Sequence, residues 1–178
     1  MALSAVSRGV RQMLAEKKRA ILQRWCDRIM ESYPAHTSKF LKSEADPFAN
    51  PVGSIIRKGT EGVIEHLVQG TEPAQAAPFL DPIVRVRAVQ DLPPSEATAF
   101  ILQLKEALRE ELGSDLERED VAKEWQELES RIDGLMLLAF DLYVQCREKV
   151  WELKTAEMKN RSLKRIERSG EMKRGSRP

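Results

Sequence analysis

Aromatic residues make up only 6% of this 178-residue chain, and it holds just two cysteines and two histidines. So few cysteines and histidines, without CxxC or Cys/His spacing, exclude a disulfide scaffold or zinc module; Cys26 and Cys146 read as free core thiols. No apolar run approaches the roughly 20 residues that a membrane-spanning helix needs. The N-terminus meets charge early and has no apolar segment of signal-peptide type, so a cytoplasmic protein is expected. There is no GxGxxG, no phosphate-binding loop, no HExxH and no GxSxG, which removes the common nucleotide-binding and hydrolytic classes. Nothing assembles a nucleophile with a base, and a non-enzymatic protein is expected. Net charge is +1, so no global field draws the chain to nucleic acid.

What is present is helical. Apolar positions recur at three- and four-residue steps through residues 5–33, from Val6, Val10 and Leu14 to Trp25 and Ile29. Tyr33-Pro34 closes that helix, because the residue before proline is pushed out of the α region. A short piece over Ser38–Lys42 follows. Pro51 suits a helix start, so Asn50 is expected to cap a helix over 52–69, with Phe48 stapled back onto its first turn. Gly53, Gly59 and Gly62 weaken that helix by roughly 1 kcal/mol each, which close approach of another helix or a small ligand would explain. Gly70 ends it. The run IVRVRAV within 73–90 alternates like a strand, but Pro82 and the lack of a partner strand favour helix. Leu92-Pro93-Pro94 breaks that segment, Ser95 reads as the next N-cap, and Gly113 stops helix 95–112.

The stretch 118–168 reads as one long helix, with a seam of Leu128, Ile132, Leu135, Ala139, Leu142, Cys146, Val150 and Leu153 and a second apolar face of Leu137, Leu138 and Val144. It is too long for one compact body, so its end is expected to protrude, pair with another chain, or fray. Residues 1–168 are expected to form one domain, and the basic stretch 169–178 to be disordered. The seam residues Ile132, Leu135, Ala139, Leu142 and Cys146 are expected to make a homodimer.

Arg85, Arg87, Gln90 and Asp91 gather near the break before Ser95. Either arginine could pair with a carboxylate of the fold, or the group could receive a small anion, since the guanidinium presents a planar fork of donors. His66, beside Leu67-Val68, is an edge-of-core histidine before it is a haem or metal ligand, and no cofactor is expected. His36 reads as a surface histidine in a loop. The carboxylates over 95–130 lack a Glu-x-x-His pair and read as a charged face rather than a di-metal site. The tail 161–178 could dock on a membrane complex or on nucleic acid, but no aromatic lies beyond Trp151 to stack on bases.

Taken together, Trp25, Tyr33-Pro34, DPFANPVG (46–53) and IVRVRAVQDLPPSEATAFILQLKEALREEL (83–112) resemble the N-terminal domain of RsbR-type stressosome proteins, the RsbRD N-terminal family. RAVQD followed by PSEA carries most of the likeness, which spans roughly 15–112. The resemblance implies an all-α, globin-like sensory domain that binds no haem, a dimer through the last helices, and partners in a signalling complex. It also implies a connecting helix to a STAS output domain, for which no chain remains after about residue 168. The expected protein is therefore an input module that senses a small ligand or a partner, without insertion into a membrane and without nucleic acid.

Overall fold

The computed structural model describes residues 8–90, 92–117 and 119–174. Seven α-helices follow one another: α1 (Arg8–Glu31), α2 (Ala35–Ser43), α3 (Pro51–Gln69), α4 (Ala77–Val89), α5 (Pro94–Thr98), α6 (Phe100–Leu112) and α7 (Glu119–Arg174). Short 3-10 turns precede α4 and α7. No strand occurs among the described residues, so IVRVRAV is helical, as Pro82 suggested.

The long helices close into a ring. α1 packs on α3 and α6, α3 on α4, α4 on α7, and α7 returns to α6. Their inward stripes fill the middle with Leu14, Ile21, Trp25, Ile64, Leu80, Ile101, Leu104, Leu128 and Ile132, none more than 1% exposed. Trp25 lies at the centre of this contact. Its ring stacks on Phe100 with centroids 6.3 Å apart, and its Nε1–H donates to the Phe100 carbonyl at 2.7 Å.

The turn before α3 is built around Asn50. Its Oδ1 accepts from the Gly53 amide at 2.8 Å, which makes it the expected N-cap. Its Nδ2 donates to the carbonyls of Leu41 (3.0 Å) and Glu44 (2.9 Å) at the end of α2. Arg57 donates to the same two carbonyls, so α3 satisfies the orphan acceptors of the preceding helix. Phe48 does not form the expected staple: it is 96% exposed. Its amide is drawn to Asp46 Oδ1 in a local turn, and that turn faces the ring outward.

Two of the three α3 glycines meet α4 directly. A Cβ on Gly59 would lie 2.6 Å from the Phe79 carbonyl oxygen, and one on Gly62 would lie 2.1 Å from the Phe79 ring. Close helix–helix approach accounts for these two. Gly70 takes φ 68° and ends α3.

The expected helix 95–112 is divided at Ala99, and Ser95 is not its cap. Pro93 holds the N-cap position and Pro94 begins α5, which leaves Ser95 exposed on the helix. Helix α7 continues to Arg174, past the expected end at 168; residues 175–178 lie outside the described residues.

The acidic stretch has structural partners. Arg24 pairs with Glu110 and Glu111, and Arg28 with Glu106 and Glu110, across the α1–α6 contact. Lys105 pairs with Asp133 and Arg109 with Glu129, which fixes α6 antiparallel to α7. Such exposed pairs set register more than they add stability.

Candidate functional site

Arg85 and Arg87 stand two residues apart on α4, which places them on different sides of the helix. Arg85 is exposed and donates from Nε to Asp81 at 2.6 Å, one turn back on its own helix. That bond and the charge of Asp81 hold its pKa above the ordinary arginine value. Arg85 is thus a surface residue, paired within the fold. Arg87 faces inward and is only 4% exposed. The two arginines do not form one recognition surface, which corrects that expectation. Gln90 is exposed at the end of α4, and Asp91 lies outside the described residues.

Arg87 is built into a corner where α4 meets the α1–α2 turn and the start of α5. Its guanidinium lies 5.6 Å from the centre of the Tyr33 ring and 6.0 Å from that of Phe100. Both are cation–π contacts. One Nη donates to Ser32 Oγ at 3.2 Å and the other to the Glu96 carbonyl at 3.0 Å. The Nε–H is buried without a hydrogen-bond partner, and so is the Tyr33 hydroxyl beside it. No carboxylate of a described residue pairs with Arg87. Burial pulls its pKa below the ordinary arginine value, with Tyr33 and Glu96 opposing that effect. Arginine nevertheless stays charged in proteins. A buried charge without a counter-ion ordinarily costs several kcal/mol.

Beside this group opens a cavity of about 300 Å³, lined by Ser32, Tyr33, Pro34, Thr37, Arg87, Gln90 and Leu92. Helix α7 fixes its far wall: Tyr143 donates from its hydroxyl to the Leu92 carbonyl at 2.6 Å, and Arg147 to the Ala88 carbonyl at 3.2 Å. Sequence reasoning found Arg87 and Gln90 but missed Ser32, Tyr33 and Thr37. Tyr33-Pro34 carried a signal, a helix end, but nothing local says that this end faces α4.

A larger groove of about 670 Å³ runs along α1, with Leu22, Cys26 and Met30 among its lining residues. Three of its cations are already engaged, Lys18 with Glu65, Lys42 with Glu31, and Arg57 with the α2 carbonyls. Cys26 and Cys146 are free thiols. Cys26 Sγ lies 3.0 Å from Thr60 Oγ1, and burial pushes its pKa up, which makes it a poor nucleophile.

His66 is buried near the end of α3, its Nδ1 2.6 Å from Thr71 Oγ1. Burial, assisted by the charge of Arg131, lowers its pKa. His36 is exposed. Among the described residues, no three His, Cys, Asp or Glu side chains gather as a metal site would require.

The expected dimer seam is placed differently. Ile132, Leu135 and Ala139 are fully buried against the chain's own core, and Leu142 and Cys146 pack on its edge. The heptad-like spacing is real, but the ring of helices uses it internally. Of the second apolar face, Leu137 is 68% exposed and Val144 half-buried, whereas Leu138 packs on the core; Phe140, Trp151 and Met158 are further exposed apolar residues of α7.

Among the described residues, no helix is long and apolar enough to cross a membrane. No curated protein and no solved structure matches the chain. A family model, that of the RsbT co-antagonist protein rsbRD N-terminal domain, matches residues 19–158. The match extends past the 15–112 span of the resemblance and takes in both the Arg87 corner and the first two-thirds of α7, so this chain belongs to the RsbRD N-terminal domain family of stressosome-type regulatory domains.

Proposed function

We propose that this chain is a homodimeric input module, whose helical body receives a signal and whose long last helix passes it on. The observation that carries this reading is the shape of α7. From residue 148 to 162 no side chain of the helix is buried, and the helix continues to Arg174. At 1.5 Å per residue, that is a rod of about 40 Å leaving the body. Its surface is not uniformly polar. Leu137, Val144, Trp151 and Met158 recur every seven residues, the interval that keeps one stripe facing a partner helix. The stripe begins on the body and runs along the rod.

A second copy offers the same stripe by symmetry. A stable dimer needs the order of 800 Å² per partner, and Leu102 and Phe140 add exposed apolar surface beyond the stripe itself. The polar positions between the stripe residues carry both signs, including Lys149 with Glu152 and Arg161 with Glu157. That pattern suits a helix pair in water better than a membrane surface.

Light scattering on the whole chain tests the reading. The dimer mass is expected for the native chain, and the monomer mass for Trp151→Glu, with the helical circular dichroism of the body retained. A native chain that stays monomeric at high micromolar concentration overturns the proposal.

A further inference from the structure

We infer that the corner around Arg87 is a binding site for a small organic carboxylate, with the guanidinium as its anchor. The inference is drawn from one protomer and does not depend on dimer formation. Arg87 is positioned over two aromatic rings, and its Nε–H is left without a partner. Tyr33 and Phe100 lie against the planar group. Its two terminal nitrogens donate to Ser32 Oγ and to the Glu96 carbonyl, and its Nε–H has no well-formed bond. Both acceptors are neutral. The guanidinium therefore has more donors than partners and forms no ion pair with a described residue, the charge of Glu96 acting on it only from a distance.

The adjoining cavity supplies the rest of a site. About 300 Å³ lies at the small end of the range for ligand pockets. Thr37 and Gln90 add neutral hydrogen-bonding groups, and the Tyr33 hydroxyl lies in the same corner, close enough to act on Arg87. No acidic side chain is among the described lining residues. Pro34 and Leu92 form an apolar wall. A carboxylate held by arginine with a small hydrocarbon body against that wall uses both halves of the cavity. Inorganic phosphate would use only one, and would leave the wall facing the wet side of the anion. Bidentate arginine–carboxylate contact is the geometry that such a donor fork favours.

The pocket is also joined to α7. Its Leu92 wall is tied by its carbonyl to Tyr143, and the end of α4 by the Ala88 carbonyl to Arg147. Occupancy of the corner thereby bears on the part of α7 where the rod leaves the body.

The test is a titration of the full chain with millimolar sodium benzoate, read by thermal unfolding and by the amide resonances of Ser32, Thr37 and Gln90. Sodium phosphate, and sodium chloride at matched ionic strength, are run in parallel. Benzoate is expected to shift those amides saturably and to raise the unfolding temperature by about 2–4 °C at a few times its Kd. Phosphate is expected to do less, and chloride to do nothing specific. Arg87→Met is expected to abolish the benzoate effect. Should that variant not fold, Gln90→Leu, at an exposed position, is expected to weaken the titration about fivefold. A benzoate response no larger than the chloride response overturns the site. A response undiminished in Arg87→Met, or in Gln90→Leu where that variant stands in, overturns it as well. A stronger response to phosphate overturns the assignment to carboxylates.

Discussion

Asn50 joins three backbone groups from two helices with one side chain, and its position is 1% exposed. Asn50→Ala leaves the Gly53 amide and the α2 carbonyls short of a partner in a place where water is scarce. We expect a loss of about 2–4 kcal/mol in urea unfolding, more than an exposed cap alone would give. Asn50→Asp keeps the cap but removes both donations, so it is expected to recover only part of the loss. His66 acts through pH. The buried ring is reluctant to take a proton, while the unfolded chain takes one near the ordinary value of 6.5. Its effect on stability is absent above that value and becomes destabilising as pH falls below it. Thermal unfolding at about pH 7 and about pH 5 is expected to show a smaller acid penalty in His66→Gln than in the native chain. An equal penalty in both would place the acid sensitivity elsewhere.

At the scale of elements, the α3–α4 contact and helix α7 show how spacing and surroundings share control. Glycine at 59 weakens an isolated helix, yet here its absent side chain lets the Phe79 backbone approach. Gly59→Ala is therefore expected to destabilise by about 1–3 kcal/mol in chemical denaturation, against the gain that helix propensity alone would give. A stabilised variant would mean that α4 moves away at little cost. The glycines were legible as a close approach, because three in one helix need a reason. The Phe48 staple and the Ser95 cap were not correctly legible. Both depended on how the preceding loop is held, and in each case a nearby backbone or proline took the role. For α7 the apolar period was plain, but period alone does not say which chain covers it. Leu135 and Leu137 make the distinction measurable. Leu135→Asp places a carboxylate in the core and is expected to unfold the body, whereas Leu137→Asp is expected to leave the body folded and to weaken the dimer in light scattering.

For the whole molecule, a closed ring of helices makes remote segments into neighbours. The α1–α2 turn lies 55 residues before Arg87 in the chain, yet it meets the end of α4 and the start of α5 around one guanidinium. Half of that corner was visible beforehand, as arginines and an amide near a proline break. The other half, Ser32, Tyr33 and Thr37, was not, because closure of the ring is a long-range event with no local pattern. The amino-acid order by itself determined the helical class, the breaks at Pro34, Pro51 and Pro93-Pro94, and the existence of one long last helix, though not its end, since these follow from periodicity and from backbone restrictions one or two residues long. Only the tertiary structure decided that Arg87 is buried without a carboxylate, that Arg85 is not its companion, and that the α7 seam serves the chain's own core. Those outcomes depend on which surfaces face each other once the helices pack, and burial and charge pairing are properties of such facing surfaces rather than of the residues alone.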